Sequence, residues 1–149
     1  MRVPASGNNK KFVIFGGVDY QKGKVVFQQE EWKNSDSFIK WLDGLRKAIP
    51  RGKILIVLDN ATYHHSKACK RWWKKHNKRI SLFFLPAYSP ELNLMERIWL
   101  YLKSKISCHR WKADLDALKI ATAELLSNLD INFLNQDGPK IRLNQNICI

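Results

Sequence analysis

Residues 54–60 read Ile-Leu-Ile-Val-Leu-Asp-Asn. Five apolar side chains in a row, three of them β-branched, predict a short strand covered on both faces, as in the middle of a parallel sheet. The run stops abruptly at Asp59-Asn60. Upstream, Lys11–Val18 (KFVIFGGV) reads as a buried strand, Asp19–Lys24 (DYQKGK) as a polar turn and Val25–Gln28 as a second strand, together a β-hairpin with a longer loop. Asn34 or Ser35 caps the next segment, where Phe38, Trp41, Leu42, Leu45, Ala48 and Ile49 recur at helical spacing until Pro50 and Gly52 stop it. Downstream, Ser66 caps a basic helix to about His76, and Ile80–Leu85 (ISLFFL) is another buried strand. Ser89 as cap, Pro90 as first residue and Glu91 in the first turn start a helix along which Leu92, Met95, Trp99, Leu102 and Ile106 repeat at spacings of three and four. Asp114 opens a last helix with Leu115, Leu118, Leu125 and Leu129 on one stripe; residues 131–149 carry no periodicity that assigns them. A hairpin followed by strand–helix alternation predicts an α/β fold, a mixed sheet flanked by helices, as one domain over residues 1–149.

Composition narrows the class. At 149 residues, 45% hydrophobic and 11% aromatic, the chain can bury a core and is no disordered tail. No apolar run approaches the roughly 18 residues of a membrane span, and the first eleven residues lack the apolar centre of a signal peptide. Cys69, Cys108 and Cys148 are odd in number and form no CxxC pair, which argues against a disulfide framework or zinc site and for a reducing, cytoplasmic setting.

Charge points to a partner. Lys and Arg total 26 against 13 Asp and Glu, a net +13. Such a surplus attracts polyanions, because each cation that neutralises a phosphate releases condensed counterions. The basic residues gather in Arg46–Lys53, Lys67–Arg79 and Arg97–Lys112, and the middle stretch interleaves Lys67, Lys70, Arg71, Lys74 and Lys75 with Trp72 and Trp73. Cations mixed with aromatics suit a surface that tracks a nucleic-acid backbone. The plainer reading of any one stretch is a solvated helix face; three together favour nucleic acid.

Two carboxylates stand out by placement. Asp59 closes the quoted strand at its carboxyl end, the edge where ligands of open α/β sheets gather. Glu96 shares a helix face with Leu92 and Trp99 and is expected to point toward the core side. Thirty-six residues lie between them, enough for a helix, a strand and a loop back to the same edge. Such a pair beside a basic surface suits a divalent metal acting on a phosphodiester. Taken singly, Asp59 also reads as an Asx turn and Glu96 as a solvated residue paired with Arg97 or Lys103.

Leu55–Lys67 (LIVLDNATYHHSK) with Leu82–Ile106 (LFFLPAYSPELNLMERIWLYLKSKI) resembles the catalytic core of the Tc1/mariner superfamily, closest to the IS630-type transposases. The shared pattern is Asp59-Asn60-Ala61, His64, Leu85-Pro86, Tyr88-Ser89-Pro90, Leu92-Asn93, Glu96, Trp99 and Leu102-Lys103, and the hairpin from Lys11 resembles the family's second and third strands. The resemblance implies an RNase H-like fold in which two Asp and a Glu surround two Mg²⁺ (or Mn²⁺) ions. It also implies cleavage of transposon ends and strand transfer to target DNA, by a dimer working near TA dinucleotides. By the same resemblance Asp59 is the second Asp of the triad and Glu96 its Glu, both metal ligands. Asn60 and His64 are supporting residues, and Tyr88, Ser89, Pro90 and Asn93 shape the loop and cap that aim Glu96. His64 also has a plain reading as a packed imidazole.

One part of the pattern is unmatched. The family's first Asp lies on a first strand upstream of the hairpin, and residues 1–10 contain no Asp or Glu. The expectation is a chain without that strand, its carboxylate or the N-terminal helix-turn-helix domains, leaving exposed edges on the hairpin and on the Ile54 strand. Asp19 reads as a turn residue rather than a substitute; Asp36 and Asp43 lie at the start and on the outer face of a helix. Three functions remain open: a transposase catalytic domain whose activity depends on the first Asp, a non-catalytic DNA-binding remnant, and an RNase H-type nuclease. The Tyr88–Trp99 pattern disfavours the third.

Overall fold

The computed structural model describes residues 2–4, 11–19, 22–86, 92–107, 115–129 and 146–148. Strands β1 (Arg2–Pro4), β2 (Lys11–Asp19) and β3 (Lys24–Glu30) precede helix α1 (Ser35–Ala48). Strand β4 (Ile54–Leu58), helix α2 (Lys67–His76) and strand β5 (Ile80–Phe84) follow, then helices α3 (Leu94–Ser107) and α4 (Leu115–Ser127) and strand β6 (Asn146–Cys148). This is the expected mixed sheet with helices on its faces. No helix among the described residues is long and apolar enough to cross a membrane.

The hairpin forms where the sequence places it. β2 and β3 pair antiparallel from Val13↔Glu30 to Asp19↔Lys24. Gly23 takes φ 64°, a left-handed conformation that costs glycine little and closes the turn. Asp19 belongs to that turn: its Oδ1 accepts from the Lys22 backbone N–H at 3.1 Å.

β4 pairs in parallel with β5, from Ile54↔Ile80 to Leu58↔Phe84. Its other edge carries β6, also parallel, with Ile54↔Asn146 to Ile56↔Cys148. β6 in turn meets β2 antiparallel at Asp19↔Cys148. The edges expected to stand open between β2 and β4 are therefore partly closed, by residues of the stretch to which the sequence assigned no structure. β1 adds a second surprise, pairing with the start of β2 as Arg2↔Val13 to Pro4↔Lys11. Three-residue strands carry no readable alternation, so neither was legible.

Two cores flank the sheet. β2 alternates between them, as side chains on successive strand residues must. Val13 and Phe15 join Phe38, Trp41, Leu42 and Leu45 of α1, together with Ile54, Ile56 and Ile80. Phe12, Ile14 and Val18 join Met95, Ile98 and Leu102 of α3 and Leu118 and Leu126 of α4. β4 departs from expectation here: Ile54, Ile56 and Leu58 are buried, but Leu55 and Val57 on the other face are only half-buried. α3 and α4 lie over β2 and β3.

Helix starts follow the capping chemistry. The Asn34 side chain accepts from Ser37 N–H, and Ser66 from Cys69 N–H. α3 departs from the expected start at Ser89. Asn93 lies outside the helix, its Oδ1 accepts from Met95 N–H at 3.0 Å, and its carbonyl accepts from Glu96 N–H. Asn93 is thus the cap, and Glu96 sits in the first turn. Tyr88, Ser89, Pro90, Glu91, Cys108 and Asp114 lie outside the described residues.

Candidate active site

Asp59 is held at the end of β4 by short-range polar contacts. Its Oδ1 accepts from Ala61 N–H at 3.1 Å, so the Asx turn read from the sequence does form. The His64 ring nitrogen Nδ1 lies 3.3 Å from the same carboxylate oxygen and 3.1 Å from the Asp59 carbonyl. Both neighbours are acceptors, so Nδ1 carries the hydrogen. His64 is buried and packs its ring against Phe38 and Tyr63, each with centroids 4.3 Å away. The plain reading of a packed imidazole holds, and the same ring contacts the Asp59 carboxylate. The Asp59 side chain is 55% exposed. The His64 hydrogen bond holds its carboxyl below the ordinary carboxylate range, against an opposing push from burial; Ala61 N–H and the nearby Lys33 add to the lowering.

Asn60 does structural work. Its side-chain N–H donates to the Leu85 carbonyl at 2.7 Å, and Leu85 N–H donates to the Leu58 carbonyl at 2.8 Å. The two bonds tie the end of β4 to the segment leaving β5, which leads toward α3.

Glu96 was expected to face the core; it is exposed. The face of α3 turned to the sheet runs through Met95, Ile98 and Leu102, and Glu96 lies about 100° around from Met95. It nevertheless lines the same cavity as Asp59, a space of about 240 Å³. Four consecutive residues of β2, Val13 to Gly16, border that space, as do Val57, Leu58 and Asp59. Consecutive strand residues point to opposite faces, so the cavity runs along the strand edges, between β2 and β4. Phe38 and Trp41 wall it on the α1 side, Met95 and Trp99 on the α3 side.

Two lysines missed as site residues share this cavity, Lys33 and Lys103. Lys103 carried a signal, since it lies within the motif quoted above. Lys33 carried none; it precedes α1 and stands over the Tyr63 ring with Nζ 5.4 Å from the centroid. Burial pushes the Tyr63 hydroxyl far up, so it remains a neutral phenol. Asp36 and Asp43 are elsewhere, and Asp43 accepts from Arg46 and from the Trp72 indole N–H.

The basic helix is separate from the cavity. Lys67, Lys70, Arg71, Lys74 and Lys75 are all exposed on α2, and none lines the space at Asp59. Trp72 and Trp73 face inward more than the sequence reading supposed. Trp72 bonds Asp43 and stacks near His76, and Trp73 lies by Phe84. They dock α2 onto the body and leave the cations as the outer surface.

The donor set suits a hard divalent cation. Two exposed carboxylates lining one cavity match the one or two protein ligands that Mg²⁺ takes while keeping several waters. No group of three or more His, Cys, Asp or Glu side chains able to hold a metal occurs among the described residues.

The pattern of the family described as "DDE superfamily endonuclease" matches residues 1–119. The insertion element IS630 uncharacterized 39 kDa protein of Shigella sonnei is 33% identical over 107 residues, which cover 71% of this chain; the chain spans about a third (31%) of that protein's length. The Mos1 transposase catalytic domain, solved with raltegravir and Mg, superposes with TM-score 0.74 at 18% identity, covering 89% of this chain and 70% of that one. The Mos1 transposase paired-end complex with left transposon end gives 0.67 at 17% identity, covering 88% and 40%. At such identities the likeness to Mos1 shows the fold, which is RNase H-like. On its sequence, the chain belongs to the DDE superfamily endonucleases.

Proposed function

We propose that Asp59 and Glu96 hold a divalent metal ion, Mg²⁺ or Mn²⁺, and that the chain carries DNA cleavage and strand transfer in the transposition of an insertion sequence. The observation that carries this reading is the convergence of the two carboxylates on one cavity from unconnected elements, the end of β4 and the first turn of α3. The Mg present in the Mos1 catalytic-domain structure supports the choice of metal. The transposon end in the second Mos1 structure supports DNA as the substrate.

A metal bound here supplies Lewis-acid polarisation of a phosphodiester and a water of lowered pKa. The protein's own groups have distinct parts. His64 Nδ1–H and Ala61 N–H keep Asp59 ionised and oriented, and Asn60 holds the strand end from which it projects. Lys33 and Lys103 offset the negative charge of the two carboxylates and draw in the phosphate. The exposed cations Lys67, Lys70, Arg71, Lys74 and Lys75 hold the flanking DNA backbone.

Nicking of supercoiled plasmid with Mn²⁺ tests the reading. Nicked circles should form, be abolished by chelator, and be absent for Asp59→Ala and Glu96→Gln. A second reading, DNA binding without catalysis, draws on the presence of only two carboxylates at the described cavity. It expects no nicking by the parent chain and salt-sensitive binding that is equal in Asp59→Ala. In either case, each α2 cation replaced by Ala should flatten the log–log salt dependence of binding by about 0.9.

A further inference from the structure

We infer that Gly16 is the positioning residue that sets how closely α3, and with it Glu96, approaches Asp59. The inference rests on the proposed roles of those two carboxylates.

Gly16 lies in the middle of β2, paired with Phe27 of β3. By strand alternation it shares a face with Phe12, Ile14 and Val18, the face that packs against α3. Every other position on that face presents a large apolar side chain, and position 16 presents none. Its backbone does not require glycine, since among the described residues the positive-φ glycines are Gly23 and Gly52. What requires glycine is space. A Cβ at position 16 would stand 2.9 Å from Met95 Cε, 2.9 Å from Trp99 Cη2 and 3.3 Å from Trp99 Cζ2.

Those two side chains bracket Glu96 on the helix, one residue before it and three after. Met95 is unbranched and its methyl end can rotate away. Trp99 is a rigid ring, so a methyl group at position 16 presses on α3 at the turn that carries Glu96. Gly16 borders the cavity that Asp59 and Glu96 share, so displacement there changes the distance between the carboxylates directly. Metal ligands need placement within about 0.5 Å. A strand glycine otherwise weakens a sheet, which makes its use against the Trp99 ring informative.

The test is Mn²⁺ binding by electron paramagnetic resonance on the full chain, with thermal melts in parallel. The parent should bind Mn²⁺ in a manner lost in Asp59→Asn and Glu96→Gln. Gly16→Ala should weaken that affinity about tenfold or more while staying folded at the assay temperature. Trp99→Phe removes the outer ring, so a Gly, Ala, Val series at position 16 in that background keeps the fold within reach. There Ala should bind as Gly does, and Val should weaken binding again. Parental affinity in Gly16→Ala, or a flat series, overturns the positioning role and leaves the metal reading intact. Mn²⁺ binding indifferent to Asp59→Asn and Glu96→Gln overturns both.

Discussion

Asp59 and Glu96 reach one cavity by opposite physical means. Asp59 is oriented by polar contacts within five residues of itself, from Ala61 N–H and the buried His64 ring. The Glu96 side chain makes no hydrogen bond or ion pair among the described residues. Its place is set by packing below it, where Met95, Ile98 and Leu102 press α3 onto β2. The comparison separates two modes of preorganisation. A hydrogen bond aims a carboxylate locally, whereas a packed helix carries one as cargo, and errors in the core become errors in the site.

Perturbations can be directed at either mode. The largest effect is expected from removing the carboxylates themselves. Asp59→Ala and Glu96→Gln should each lower metal-dependent nicking about 10³-fold, the scale of several kcal/mol of lost transition-state stabilisation. Gel quantitation of nicked circles measures it, and a residual rate near the parent's would remove that residue from the site.

On the packing side, Leu102→Ala should destabilise the fold by about 2–5 kcal/mol in urea titrations, since Leu102 is fully buried between α3 and the sheet. A loss below about 1 kcal/mol would mean that α3 is held by something other than this core.

On the polar side, His64→Phe keeps a ring in the aromatic cluster and removes the hydrogen bond. Metal affinity should fall about 10- to 100-fold, the usual cost of losing a partner that orients a ligand. The acid limit should move as well. Asp59 is held below its ordinary 3.8, so the pair stabilises the fold above about pH 4, and this contribution disappears as the pH falls through the folded-state value. In His64→Phe the carboxyl takes its proton at higher pH, visible as an upward shift in the pH at which Mn²⁺ is released. An unchanged acid limit would assign Asp59's orientation to Ala61 alone.

The smallest effect serves as a control. Ser66→Ala removes the cap of α2, which touches neither carboxylate, and should cost about 1 kcal/mol in thermal or urea unfolding. Mn²⁺ affinity should be unaltered; a change would couple α2 to the cavity.

Much of this was legible because the signals are local. Capping at Asn34 and Ser66 and the β-branched run at Ile54–Leu58 appear where the residues imply them. Asp59 and Glu96 stood out as strand-end and helix residues and do share a cavity. The failures are tertiary in origin. Glu96 was read as inward because Leu92 was taken as part of the core stripe, yet Leu92 is 54% exposed and the buried stripe runs through Met95, Ile98 and Leu102. Lys33 comes to the cavity through the path of the chain before α1, which no periodicity encodes. Gly16 looked like one of two glycines near a strand end, and only the approach of Trp99 shows what its missing side chain allows.

The placement of β6 has a consequence for how the molecule forms. Ile54 and Asn146 are neighbours in the sheet but about 90 residues apart along the chain. The β2–β3 hairpin and the β4–α2–β5 unit close over short loops and can assemble while synthesis continues. The link between them through β6 must wait until Asn146–Cys148 has been made. Such long-range pairing slows folding, because the loop entropy is lost before the contact is gained. Until then the facing edges of β2 and β4 are open to pairing with other strands, which makes the interval before Asn146–Cys148 emerges the one in which these edges are most exposed to misassembly.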